Sequence, residues 1–581
     1  MKVFNKNRSR ITQAILSLLM MVVLSTGCEE FLDVPVEDRY VSENFFNDPA
    51  NVSLMVNDVY VSLKRGGLFS NGIGQNAITS DIQRTAQFNS QGGLGTYTHS
   101  ASNAALTNIW QGMYQGIAKA NNVLEEIEKH VPADLDVSDQ IGEVRFIRAL
   151  YYFNLVQLFG DVPLIVNTIQ PDDEPMGRTD RGLVYEQIIE DLTFASNNCL
   201  LASEQSDYGR VSKGAAQALL SKVYLTRANM IDLGQLDGDA AADYQGAVDN
   251  AKSVIDSNEY GLVSYFPDVF NRNNKGHNEN IFVIQYMPGE DLGGCVGCAT
   301  GISKQQNDGG SWNNILGTQY YYTLYDDTDL VRRKWTVTKA SLEIINGEIA
   351  MTSYENPRYF ANLLESKNRD ATTYFFNGGD QTWPTWEPTR VAKFRRWPLS
   401  SAEQGFFNHQ AFNIDDPIIR YAEVLLIYAE ALNEVNNGPS AAAYDAVNEV
   451  RARARNYPAD GIDYLIEGLT NPDIDVQASA VPDWSGLSYT EFRDNILDER
   501  ARELGGEQGC MRWFDLVRRG ILVEKIQYLN TFDNPLTGGQ EEPWWSNNQG
   551  PGMNVQPHHL LMPIPADELD KNPNLKQNPG Y

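Results

Sequence analysis

Two stretches of the sequence carry side chains suited to gripping a polyhydroxylated ring. Residues 76–97 are Gly-rich and hold Asp81, Arg84, Gln87 and Asn89, shortly before a helical pattern that includes Trp110. Residues 311–322 hold Trp312, flanked by Gly310, Ser311 and Asn313, and the run Tyr320-Tyr321-Tyr322. A sugar ring offers an apolar C–H face and a rim of hydroxyls. An indole or phenol matches the face, while carboxylate, amide and guanidinium groups hydrogen-bond the rim. The candidate ligand contacts are therefore Asp81, Arg84, Trp312, Tyr320 and Tyr322. Gly, Ser and Asn cannot wall an apolar pocket around an indole, so Trp312 is expected at the surface. Tyr320–Tyr322 read equally well as half-buried strand packing. Trp383 and Trp386, split by Pro384, form a third group.

Catalytic chemistry finds poorer footing. Glu499, Arg500, Arg502, Glu503, Asp515, Arg518 and Arg519 make a dense charge cluster, but their spacing of three and four residues is that of ion pairs between packed helices. Adjacent carboxylates at Asp326-Asp327 and Asp415-Asp416 read as solvated turns. The sequence has no G-x-S-x-G, H-E-x-x-H or P-loop. His558-His559 lack partners at zinc spacing, and Asp237-Gly238-Asp239 lacks the remaining acids of a calcium loop. Cys295 and Cys298 form a lone C-x-x-C, which reads as a small loop disulfide or a pair of free thiols. No catalytic residue, metal or cofactor is called for.

Helical blocks must position these loops. Trp110, Met113, Tyr114, Ile117, Leu124 and Ile127 recur at helical spacing, ending before Pro132. Residues 141–159 are apolar around most of the circumference and stop at Gly160-Asp161-Val162-Pro163, which marks a helix buried on several sides. Further helices are expected over 183–195, after a Ser212 cap, over 244–255, 418–435, 441–454, 490–504 and 511–519. Small residues such as Ala149, Ala216, Ala422 and Ala429 lie opposite bulky Tyr and Leu at a unit length near 34 residues, which suggests tetratricopeptide-like helix pairs. Residues 262–415 break this pattern with a strand at 281–286 and an aromatic, Gly-rich stretch. The fold class is mostly α, a scaffold of four helix pairs with a loop-rich, partly β insertion.

The balance of 46 basic against 76 acidic residues, a net charge of −30, repels nucleic acid and anionic lipid faces, so neither is a partner. Lys2, Lys6, Arg8 and Arg10 precede an apolar stretch too short to span a bilayer, followed by Leu24-Ser25-Thr26-Gly27-Cys28. That end resembles a bacterial lipobox and implies cleavage after residue 27, with acyl chains on Cys28 that anchor the mature chain to a membrane. Glu29, Glu30 and Asp33 resemble a surface-export signal. The alternative is an ordinary secretory signal with an incidental cysteine.

Eight stretches, in order, are similar to the RagB/SusD family of outer-membrane nutrient-binding lipoproteins. They are CEEFLD from Cys28, WQGMYQGIAKANN from Trp110, EVRFIRALYYFNLVQLFGDVPL from Glu143 and GRVSKGAAQALLSKVYL from Gly209. IRYAEVLLIYAEALNE from Ile419, residues 448–454, ILDERARELGGEQGCMRWFDLVR from Ile496 and MPIPADELDKNPNLKQNPGY from Met562 complete the set. Gly505-Gly506 stands where that family has a bulkier apolar pair, and the C-x-x-C loop departs from it. The resemblance implies four tetratricopeptide-like units and a loop-rich half carrying the ligand site. It also implies a SusC-like TonB-dependent transporter as partner, over which the lipoprotein sits as a lid. The expected organisation is a signal over 1–27, a lipid-anchored tether over 28–45, scaffold over 46–261 and the ligand-binding insertion over 262–415. Scaffold resumes over 416–520, and a tail over 521–581 packs on it. The function expected is non-catalytic capture of an oligosaccharide at the outer membrane and its delivery to the transporter. Peptide capture and a pure assembly scaffold are the alternatives.

Overall fold

The structure, a computed structural model, describes residues 45–64, 68–69, 78–85, 93–287, 315–326, 328–338, 340–345, 348–353, 390–391, 393, 414–456, 480–507, 510–531 and 551–581. Helix α1 (Pro49–Leu63) starts from Asp48, whose carboxylate accepts the Ala50 N–H. Strand β1 (Gln83–Thr85) follows. Helix α2 (Ala104–His130) is capped by Asn103, which accepts the N–H groups of Ala105 and Leu106. Helix α3 (Ser138–Phe159) is the centre of the molecule: every residue from Phe146 to Phe159 is buried, as its all-round apolar pattern requires. Gly160, at φ 73°, ends it. A Cβ on Gly116 would lie 2.2 Å from the Tyr151 ring, so glycine is what lets α2 close on α3.

Helices α4 (Arg181–Asn198), α5 (Lys213–Asp232) and α6 (Ala240–Asp256) continue the scaffold. Ser212 caps α5 by accepting the Ala215 N–H at 3.1 Å. The chain then forms β2 (Asn280–Ile284), β3 (Ile315–Gly317), α7 (Gln319–Leu324), α8 (Leu330–Thr336) and β4 (Val337–Thr338). A hairpin of β5 (Ala340–Ile345) and β6 (Glu348–Ser353) precedes β7 (Arg390–Val391) and β8 (Asp416–Arg420). Helices α9 (Tyr421–Val435), α10 (Ala441–Ala454), α11 (Tyr489–Leu504), α12 (Met511–Arg518), α13 (Leu522–Tyr528) and α14 (Ala566–Lys571) follow, beside several single turns of helix. Ser488 and Glu491 form a capping box at the start of α11.

Helix α3 packs on α2 and α4, α5 on α6, and α9 on α6, α10 and α11. The mostly helical, paired scaffold expected from the sequence is what the chain forms. One apolar core runs through these helices from Phe46 to Leu575. The tail closes the C-terminal end of α3, whose last carbonyls lack helical partners. Met562 N–H donates to the Leu158 carbonyl at 2.6 Å, and the Asn578 amide donates to the Phe159 carbonyl at 3.0 Å.

Two expectations need correction. The helix expected from Ile418 begins at Tyr421, because residues 416–420 are a strand paired antiparallel with β2, Asn280 facing Arg420 and Ile284 facing Asp416. Pro417 and the β-branched Ile418 and Ile419 favour that extended run over a helical turn. Asp415 and Asp416 are accordingly buried and do not lie in a solvated turn; Asp415 accepts Lys275 Nζ at 2.7 Å and the Tyr208 hydroxyl at 2.7 Å.

Candidate functional site

The bases of the two sequence-predicted loops meet against α11 and α12. Strand β1 pairs antiparallel with β3, Arg84 opposite Leu316, in a sheet ordered β1-β3-β7-β4. The Thr318 hydroxyl donates to the Asp81 carbonyl at 2.6 Å and accepts the Tyr321 N–H at 3.1 Å, joining one loop base to the start of α7 in the other. The Tyr97 hydroxyl donates to the Thr79 carbonyl at 2.5 Å, tying residues 79 and 97 together.

Asp81 is fully buried, and Arg512 grips both its oxygens, with Nε at 2.9 Å and Nη2 at 2.7 Å. Burial works against the Arg512 charge, but Asp81 more than compensates and raises its pKa. Arg84 is buried within β1, and Tyr322 is buried with the Arg333 guanidinium 5.0 Å from its ring centroid. These three side chains are buried and do not face solvent. Tyr320 is half-buried, and its ring meets Tyr528 edge-on at 5.9 Å. Trp312, Gln87, Asn89, Trp383, Trp386, Cys28, Cys295 and Cys298 lie outside the described residues.

Residues 320–322 lie in a short helix capped by Thr318, not in a strand. Tyr321 points inward, donating to the Ala501 carbonyl at 3.0 Å, and Tyr325 donates to the Arg502 carbonyl at 2.8 Å. A Cβ on Gly505 would stand 2.2 Å from the Tyr321 hydroxyl, so the Gly505-Gly506 turn is what lets α7 dock on the end of α11.

A buried ion-pair network ties the described residues Glu279, Arg332 and Lys393 to the scaffold. Arg332 of α8 donates to Glu499 at 2.7 Å and to Glu503 at 3.4 Å. Lys393 donates to the Glu503 carbonyl at 2.5 Å and to Glu507 at 2.6 Å. Arg420 pairs with Glu279, Glu503 and Glu507, Arg451 with Glu499, and Arg453 with Glu279 and Glu503. Burial alone would raise Glu499, yet Arg332, Arg502 and Arg451 hold it well below the usual carboxylate range. Glu503, likewise opposed by burial, is brought down to about 2 by Arg453, Arg420, Arg332 and Lys393. Burial lowers Lys393 to about 8. Each such pair adds little net stability, but breaking one strands a charge, so the network fixes position.

The sequence-predicted cluster Glu499, Arg500, Glu503, Asp515 and Arg518 is therefore structural. Arg500 and Arg518 both grip Asp515, and Arg518 also holds Glu430. The sequence reading missed Arg512, Arg332, Lys393, Thr318 and Tyr528. Arg512 lies inside the quoted stretch from Ile496, but nothing in spacing links it to Asp81, 431 positions away. Among the described residues no group of three or more His, Cys, Asp or Glu could hold a metal ion. No helix among them is long and apolar enough to cross a membrane.

These features define a class: a helical-repeat scaffold bound through buried ion pairs to an aromatic region. The SusD family profile matches residues 278–581, and the profile of a SusD-like family described as starch-binding and associating with the outer membrane matches residues 30–225. The chain belongs to the SusD family, whose members bind carbohydrate without catalysis. It is 25% identical to SusD-like protein P25 of Formosa agariphila over 594 residues, which covers 98% of this chain and 99% of that one. A solved SusD homolog from Bacteroides thetaiotaomicron superposes with a TM-score of 0.70 at 24% identity, covering 94% of this chain and 100% of that one. A laminarin-binding SusD-like protein superposes with a TM-score of 0.64 at 22% identity, covering 92% and 100%.

Proposed function

We propose that this protein captures an oligosaccharide on the face built by residues 76–97 and 311–322 and passes it, unaltered, to a SusC-like TonB-dependent transporter. The observation that carries the reading is the joint between the two loops: Asp81–Arg512 and Thr318 fix both loop bases on α11 and α12. A site held this way binds without first ordering its supports, which lowers the entropic cost of association. Tyr320 supplies an aromatic edge there, and Trp312 is the platform for the sugar face. Asp81, Arg84 and Tyr322 support the face from below. Family membership and the laminarin-binding relative favour a glycan as ligand. Acyl chains on Cys28 hold the mature chain at the outer surface of the outer membrane.

A glycan array probed with residues 28–581 tests the ligand class. Binding to a restricted set of oligosaccharides supports the reading. Silence across the array, with binding to peptides instead, would replace it with peptide capture.

A further inference from the structure

A cleft of about 1000 Å³ lies between α2, the connection over residues 163–176 and α14, and it shares no lining residue with the loop site. Its floor is aromatic and aliphatic. Trp110 stacks obliquely on Tyr114 at 5.0 Å and meets Phe159 edge-on at 5.0 Å, with Leu164 and Leu575 beside them. Its lining includes the side-chain amides of Gln115 and Asn167, while those of Gln111 and Asn572 brace the walls. An amide both donates and accepts, which matches vicinal hydroxyls. The volume lies at the upper end of the range for small-molecule sites.

The walls are braced against one another. Tyr114 donates to the Pro163 carbonyl at 2.8 Å, Gln111 to Glu568 at 2.8 Å, and Asn572 to the Met176 carbonyl at 2.8 Å. The cleft is thus formed before any ligand arrives.

The backbone of the middle wall separates two classes of occupant. An extended peptide adds to a protein edge through free main-chain groups. Here three consecutive carbonyls are already engaged: Ile165 by Asn121 and Tyr152, Val166 by Arg148, and Asn167 by Asn121. A sugar needs none of them. Charge narrows the class further, because Asp173, Glu174 and Glu568 line the cleft against the single ammonium of Lys571. Uronic and sulfated sugars would be repelled.

We infer that this cleft is a second glycan site, one that takes a neutral oligosaccharide. The inference rests on the glycan-capture reading but concerns a different set of residues.

Calorimetry on residues 28–581 tests it, with a panel of neutral oligosaccharides that includes laminarin fragments and with oligogalacturonate as the charged control. Ala118→Trp and Gln115→Trp fill the cleft from exposed positions on α2, and Trp312→Ala reports on the loop site. The expected result is two sites in the wild type for a neutral glycan. Either filling variant removes one of them, weakening it at least ~10-fold while the other stays within about 2-fold. Oligogalacturonate should not occupy the cleft. A single site lost only in Trp312→Ala overturns the cleft and leaves the loop reading standing. A single site lost only in the filling variants does the reverse, and no binding by any glycan in the panel sinks both.

Discussion

Removing the Asp81 carboxylate should destabilise the protein even with no ligand present. Asp81 is fully buried, and both its oxygens serve Arg512. Breaking a buried pair from one side costs about 3–5 kcal/mol, because the remaining charge is left without its partner. In Asp81→Leu, Arg512 keeps the Leu497 carbonyl at 2.6 Å and a long contact to the partly exposed Asp498 at 3.4 Å. Those contacts place the expected loss near the lower end, about 3 kcal/mol. Arg512→Leu should lose a similar amount. The double variant, with neither charge, should cost less than the two single losses together by about 1–3 kcal/mol. Urea unfolding of the glycan-free protein, followed by tryptophan fluorescence, measures all three. A loss below about 1 kcal/mol in Asp81→Leu, or single losses that simply add, would refute the reasoning. Asp81 would then belong to the ligand face, as its position in a polar loop suggested.

Three further outcomes are expected. Gly505→Ala should destabilise by about 1–3 kcal/mol, since its Cβ meets the Tyr321 hydroxyl and, at 2.4 Å, the Ala501 carbonyl; a urea midpoint equal to that of the wild type contradicts the docking described for α7. Burial, and then the neighbouring imidazoles, lower His99 and His559 to about 4 in a cluster with Tyr97, His558 and Tyr581. The unfolded chain takes up these protons near 6.5 and the folded chain only near 4, so stability is lost as pH falls through that window. His99 should account for roughly 2–3 kcal/mol of that loss; unfolding midpoints between pH 7 and 4 should flatten in His99→Gln, and an unchanged profile contradicts the assignment. Cys28→Ala should lose the label of a palmitate analogue and move to soluble fractions, whereas an unlabelled wild type removes the lipid anchor from the account.

The scaffold was legible because its signals are local. Ser212 starts a helix where its type and position say it should, Gly160 stops one, and the all-round apolar pattern of residues 141–159 foretold a buried helix. Ile418-Ile419 misled because a short β-branched run abutting a helix has no periodicity of its own; the partner that makes it a strand is β2, far away in sequence. Acidic and basic residues at helical spacing correctly announced ion pairs. The partners of Glu499 and Glu503 nonetheless include Arg332, Arg420, Arg451 and Arg453, which come from α8, β8 and α10.

The candidate site was legible as a region and not as a set of contacts. Composition marked residues 76–97 and 311–322 as polar and aromatic. It could not show that Asp81 faces Arg512, which depends on how a distant loop base docks on α12, or that Tyr322 is buried beside Arg333, which depends on how α7 packs beside α8. Tyr320 and Tyr322 sit two residues apart in one helical turn and so take different faces, one half-exposed and one buried.

The central claim, capture of a glycan without turnover on the loop face, is tested most directly by one paired measurement. An array-positive oligosaccharide is titrated calorimetrically into wild type and Trp312→Ala, thermal melts are recorded for both, and the recovered ligand is chromatographed. The account predicts saturable binding, ligand of unchanged length, and a variant that melts nearly as the wild type but binds at least ~10-fold more weakly, about 1.4 kcal/mol. Shortened ligand, equal affinity in the two proteins, or a variant that melts far lower, as the loss of a buried Trp worth ~3–5 kcal/mol would require, contradicts it.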